Sequence, residues 1–297
     1  MGNSNIYETK FKTRILTPEL AAEWLDTMPE YQRKPSAVVV AEYAKDMAEG
    51  RWVNGTGDTI RFNKRGQMID GQHRCLAVIE SGTPILATVV GGLDDAVYAV
   101  LDKGKKRSAS DTIGGKNATS RAAIAKTLIA LSNGIPLASV LGSNTSKKYN
   151  PISQVEVAEV AMENDGLISR IYDCLAYLKS ANNGRFSAAV ATCLVAYAYE
   201  QGGNVESFYA FCKDLNKPVQ ERPTVCTMAR EKAASFNVTS GKSKFAIIFA
   251  VFAIAYGHWM KGTTPKIIQP STLTRDVSAI AVRRDWELRK QVTHDAH

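Results

Sequence analysis

The side chains best able to bind or polarise an anion are concentrated at Asp70-Gly71-Gln72-His73-Arg74. They stand behind the apolar pair Met68-Ile69 and ahead of the apolar run Cys75-Leu76-Ala77-Val78-Ile79. That order puts polar chemistry at a strand-to-helix turn, where the first backbone N–H groups of a helix attract negative charge. Arg74 offers a planar fork to a phosphate or carboxylate. His73 can donate to a phosphate oxygen or serve as general acid or base. It is one of four histidines, and the other three fall in the last forty residues. Asp70 can hold His73 or Arg74 in place or accept a ligand hydroxyl, and Gly71 allows a close backbone approach or a positive φ. His73 and Asp70 are therefore the candidate catalytic pair. The same residues admit a structural reading, in which Asp70 caps the helix, Arg74 pairs with it and His73 packs; spacing alone does not separate the two.

Elements that could position this turn are legible on both sides. Residues 15–28 read as a helix, with Thr17 as N-cap, Pro18 at its first position and Leu20, Ala21, Trp24 and Leu25 on one face. The turn Pro29-Glu30-Tyr31-Gln32-Arg33-Lys34-Pro35 leads to Ser36, which can cap a second helix over about 37–49. Thr59 to Asn63 alternates like a strand, Lys64-Arg65-Gly66 turns, and Gln67-Met68-Ile69 returns. A helix over about 72–80 ends at Ser81-Gly82, and Ile85 to Val90 is apolar enough to be a central strand. Asp94 or Asp95 can cap a short helix through Leu101. Strands mixed with short helices in about one hundred residues predict a compact α+β unit.

The turn Gly114-Gly115-Lys116-Asn117 reads as a boundary, giving an N-terminal domain over 1–115 and a helical domain over 116–297. Helices are expected at about 118–133, 152–163, 166–180, 186–201, 204–215, 224–235, 243–260 and 271–289. The run Phe245 to Ala253 is apolar all round and marks a buried central helix.

Thirty-seven Lys and Arg against twenty-nine Asp and Glu give a net charge of +8, which favours an anionic partner such as nucleic acid or nucleotide. The densest basic stretch runs from Lys103 to Lys126, with Lys103, Lys105, Lys106, Arg107, Lys116, Arg121 and Lys126 against Asp111 alone. Lys103, Lys105, Lys106, Arg107 and Lys116 are the candidates for tracking a DNA backbone, and the same residues could instead extend a nucleotide pocket or form a solvated loop. The five cysteines contain no CxxC pair, so no metal site of the usual zinc spacing is expected. No apolar run is long enough to span a bilayer, and the opening Met1-Gly2-Asn3-Ser4-Asn5 is polar. A soluble, cytoplasmic protein of a reducing compartment is the expectation.

Ile69-Asp70-Gly71-Gln72-His73-Arg74, with the Tyr31-Gln32-Arg33 turn and a helix ending in Gly50-Arg51-Trp52, resembles the ParB/sulfiredoxin superfamily. More narrowly, it resembles the phage and mobile-element ParB-like proteins that carry a DGQHR string. The likeness covers about residues 13–113 and extends to Leu101-Asp102-Lys103-Gly104-Lys105-Lys106-Arg107-Ser108; the helical half has no counterpart. It implies a ParB/sulfiredoxin-like mixed sheet followed by an all-α domain. It implies a nucleoside triphosphate, CTP or ATP, with Mg2+ as a candidate companion, held by Gly71, Gln72, His73 and Arg74 with Arg33 approaching the same pocket. A bacterial or phage-infected cytoplasm is the implied setting.

Departures from the family pattern carry weight. Sulfiredoxins place a catalytic cysteine where this chain has Gln72, which argues against sulfinic-acid reduction. The partition proteins have an arginine-rich turn where His73 stands, which puts clamp sliding driven by CTP in doubt. Kinases of the superfamily have a histidine there and need a carboxylate base, for which Glu30, Glu42 and Asp46 are candidates. The leading expectation is a ParB-like nucleotide-binding, DNA-associated protein whose helical half contacts DNA or self-associates. The alternatives are a superfamily enzyme, either a phosphotransferase or a nucleic-acid-modifying enzyme, and a phage interaction protein whose turn is degenerate.

Overall fold

A proline fixes the first element boundary. The residue before a proline is driven to extended backbone, and Thr17 ahead of Pro18 has ψ 164°. Its hydroxyl accepts from the Leu20 N–H at 3.3 Å, so it caps α1 (Pro18–Asp26) as the sequence predicts. The start of that helix is corrected, however. Residues Lys10–Leu16 form a strand, β1, because Ile15 and Leu16 pair with Leu86 and Ile85 across the sheet.

The computed structural model describes residues 10–30, 32, 34–54, 59–94, 108–135, 137–141, 152–184, 186–236 and 243–270. The chain divides into two compact units, Met1–Arg107 and Ser108–His297. Together they give a mixed α+β protein with a four-stranded sheet near the N-terminus and many helices. The expected helices at about 94–101 and 271–289 lie outside the described residues, Asp94 apart.

In the first unit, β1 is followed by α1, α2 (Ala37–Ala48), β2 (Thr59–Asn63), β3 (Met68–Asp70), α3 (Gln72–Ser81) and β4 (Ile85–Leu93). The sheet order is β1-β4-β2-β3. β4 runs antiparallel to β1 and parallel to β2, and β2 and β3 form an antiparallel hairpin. The apolar β4 is central as its sequence predicts, and it runs three residues further than the expected 85–90. Leu16, Ile60, Met68, Cys75, Val78, Ile85 and Ala87 build the core with Val40, Ala44 and Met47 of α2. Trp24 meets Phe62 edge-on at 5.2 Å and Tyr43 meets Trp52 at 5.3 Å, which fixes α1 and α2 against the sheet and the segment behind α2.

The β2–β3 hairpin is tied by one buried amide. Asn63 Oδ1 accepts from the N–H groups of Arg65 and Gln67, and its Nδ2 donates to Gln67 Oε1 at 3.0 Å. A register shift between Arg61 and Phe62 pairs Arg61 with Asp70 while Phe62 pairs with Met68. The bulge aims Asp70 at Arg61.

In the second unit, α4 (Ala109–Ile113), α5 (Ala118–Ser132), α6 (Leu137–Leu141), α7 (Gln154–Glu163), α8 (Asp165–Ala181), α9 (Ala188–Glu200), α10 (Val205–Leu215), α11 (Thr224–Ser235) and α12 (Ser243–Met260) share one apolar core. The sequence anticipates all of these except the short α4 and α6. The uniformly apolar α12 is the buried helix expected of it, packing on α9 and α11. Tyr256 of α12 sits among Phe208, Phe211 and Trp259, and its hydroxyl lies 2.7 Å from Ser207 Oγ. No helix of the described residues is long and apolar enough to cross a membrane.

All five cysteines are free and buried. Burial pushes the Cys75 and Cys226 thiols up to about 12, and those of Cys193 and Cys212 upward as well. A thiol in the unfolded chain titrates near its usual 9.0, so above that pH the unfolded state holds fewer protons than the folded one and stability falls. Denaturant titrations at stepped pH should show this loss between about 9 and 12. Asn63→Ala should destabilise the protein by about 1–3 kcal/mol, because the freed N–H groups of the turn lose a buried acceptor; a chemical melt measures it.

Candidate functional site

Asp70 ends β3, and its carboxylate serves two guanidinium groups. Oδ2 accepts from Arg61 Nη1 at 2.9 Å and lies 3.6 Å from Arg74 Nη2. Arg74 Nη2 also donates to the Thr59 carbonyl at 2.8 Å. The arginines thus come from opposite ends of the motif, one across the hairpin and one from the first turn of α3. Two cations share one carboxylate here, and all three side chains are only partly exposed, between 15% and 32%, so their attraction is weakly screened.

Gly71 makes the turn. Its φ of 116° is a conformation that L side chains rarely adopt, and a Cβ there would meet Ile60 Cγ1 and Cγ2 at 3.0 Å. The missing side chain lets the start of α3 press against β2, which brings Arg74 within reach of the Thr59 carbonyl. Gly71 is also the N-cap of α3 and so supplies no capping side chain.

His73 joins this helix start to another. Its Nε2 accepts from the Ser36 backbone N–H at 3.0 Å. A backbone N–H can only donate, so Nε2 carries the lone pair and the proton of the neutral ring sits on Nδ1. Ser36 is the N-cap of α2, yet its side chain makes no capping bond. Two helix N-termini therefore meet at one imidazole, and neither N-cap residue lays a side chain over its first turn. Helix N-termini carry partial positive charge, and two of them meet here beside two guanidinium groups that share one carboxylate.

Other sequence-predicted positions fall as follows. Gln72 is the first residue of α3 and half-buried. Cys75 faces the core with its Sγ 3.8 Å from Met68 Sδ, and burial keeps its thiol protonated. Asp46 is buried and tied to Arg51 Nε at 3.0 Å, which makes it a brace for the C-terminal end of α2. Glu30 is exposed and Glu42 half-buried. Lys116 is exposed ahead of α5 in the second unit. Arg121 pairs with Asp165 and donates to Ser169 Oγ at 3.2 Å, so this member of the basic stretch joins α5 to α8. Arg33, Lys103, Lys105, Lys106 and Arg107 lie outside the described residues.

Two participants escape the sequence reading. Arg61 reads as one polar residue on an alternating strand, and only the hairpin register sets it beside Asp70. Counting the expected hairpin from its turn pairs Phe62 with Met68 and would set Arg61 opposite Ile69; only the bulge moves Arg61 to Asp70. The Ser36 N–H is thirty-seven residues from His73, and no local pattern links the two. Gln32, in the turn that carries the family likeness, donates from Nε2 to the Met68 carbonyl at 3.1 Å and holds the segment before α2 against β3.

Gly71→Ala should cost about 1–3 kcal/mol in a denaturant melt, since a side chain is strained at that φ and its Cβ would meet the buried Ile60 at 3.0 Å. Arg61→Ala is expected to leave α3 in place, with circular dichroism unchanged, while removing half of the cationic pair around Asp70.

No family model, no curated protein and no solved structure matches the chain significantly.

Proposed function

We propose that the Asp70–Arg74 turn binds the phosphates of a nucleoside triphosphate, and that the protein is a ParB-like, DNA-associated nucleotide-binding protein of phage or mobile-element origin. The observation that carries the nucleotide reading is the meeting of two helix N-termini at His73 beside the Arg61–Asp70–Arg74 cluster. Backbone amide dipoles from α2 and α3 and two guanidinium groups are suited to a polyanion. Gly71 to Arg74 are the binding residues, with Arg61 added to them. Asp70 orients the two arginines and keeps its second oxygen for a ligand hydroxyl.

The same geometry favours binding over acid–base chemistry at this turn. Asp70 is shared between two guanidinium groups, and the Nε2 lone pair of His73 is already engaged by Ser36. No group of three or more His, Cys, Asp or Glu among the described residues could hold a metal ion by itself. In this reading Mg2+ arrives coordinated to the nucleotide phosphates, as that ion commonly does. Association with DNA is supported by the net charge of +8 and by the family likeness of the N-terminal third.

Isothermal titration with CTP, ATP and GTP, each with magnesium, tests the nucleotide reading. One of them should bind, and Arg74→Ala should weaken it by about tenfold to a hundredfold, the worth of a charge-assisted contact. Absence of binding to all three sinks it. DNA retention measured across a salt series should fall steeply, and a flat response removes the DNA part.

A further inference from the structure

The two edges of the sheet are finished differently. At β3, the Met68 N–H donates to Thr27 Oγ1 at 3.1 Å and the Met68 carbonyl accepts from Gln32 Nε2, so side chains close that edge. At the other end β1 pairs with β4 on one side only. Its outer edge meets no hydrogen-bond partner among the described residues, and Lys10 to Ile15 are exposed on both faces.

Those faces differ in chemistry. Lys10, Lys12 and Arg14 share one face, opposite Gly91, Val89 and Ala87 of β4, where no carboxylate stands. None of the three has an ion-pair partner among the described residues. The other face shows Phe11 at 69% exposure, Ile15 at 65% and, beside Ile15 on β4, Leu86 at 44%. An unpaired edge flanked by a cationic row and an apolar row is a template for strand addition.

We propose that the free edge of β1 accepts an added strand from a partner polypeptide whose alternate residues are acidic and apolar. The acidic residues lie along Lys10, Lys12 and Arg14, and the apolar ones cover Phe11, Ile15 and Leu86. Any strand laid beside β1 shares its two-residue period, so both rows are satisfied in one register. A second copy of β1 does not fit. In antiparallel self-pairing, registers that match even with even numbers set cations against cations. Those that match even with odd set cations against Phe11, Thr13 and Ile15. Like charges directly opposite destabilise a pair. Edge lysines deter pairing with like strands, and the same charges select an acidic one. A nucleic acid would use the cations but leave the apolar row and the edge amides unused.

The test uses the full-length protein and a capped eight-residue peptide of alternating Glu and Val, with binding read by fluorescence anisotropy. Two controls carry N-methyl groups on alternate amides, one for each edge of the peptide. The unmodified peptide is expected to bind and to raise hydrogen-exchange protection across residues 10–16. One of the two methylated peptides should lose binding, since its free edge can no longer donate. The double variant Lys12→Glu, Arg14→Glu, checked for an unchanged thermal melt, should weaken binding by about tenfold or more. No binding, equal binding of all three peptides, or indifference to the charge reversal overturns the proposal. So does a single-stranded oligonucleotide that binds through Lys12 and Arg14 where the peptide does not.

Discussion

The close approach of Gly71 to Ile60 sets the geometry of the candidate site. With no Cβ at position 71, the chain turns from β3 into α3 at a φ of 116° while touching the buried side chain of β2. This contact fixes where α3 begins. Arg74 can then reach the Thr59 carbonyl, and His73 points toward the start of α2. A longer path between strand and helix would move both side chains away from Asp70 and Ser36. The turn is thus a packing constraint first and a chemical arrangement as its consequence.

Within that constraint, charge and hydrogen bonding divide the work. Asp70 holds two guanidinium groups that would otherwise repel each other, which keeps Arg61 and Arg74 side by side at one corner. His73 spends its acceptor on a backbone N–H and thereby couples two helix starts. Buried Cys75 and Asp46 support the elements around them and offer no reactive group. The corner is built from groups already committed to one another, Asp70 to two guanidinium groups and His73 to the Ser36 N–H.

The sheet shows how a small α+β unit treats its two ends. β3 is enclosed because Thr27 and Gln32 reach its backbone from the end of α1 and the turn beyond it. β1 has no such cover among the described residues, and its alternation of cations with Phe11 and Ile15 gives each face a separate identity. That alternation is visible in the sequence, yet the Thr17-Pro18 start signal reads as a helix reaching back to residue 15, where the structure has a strand through Leu16. Pro18 sets the helix at its own position and holds the residue before it extended. The pairing of Ile15 and Leu16 with β4 then decides the rest.

By itself the sequence determined the local elements and the place of the turn. Periodicity, caps and glycines mark α2, α3, the β2–β3 hairpin, the central β4 and the buried α12, because each depends on neighbours within a few residues. It also located Asp70–Arg74 as the concentration of anion-binding groups. Tertiary structure decided which groups meet. Arg61 joined Asp70 through a bulged hairpin register, and Ser36 joined His73 across thirty-seven residues. It also settled that Asp46 braces a helix and that Arg121 links two others. Such pairings follow from how strands align and helices pack, and those depend on the burial of the whole core, which no short window of sequence contains.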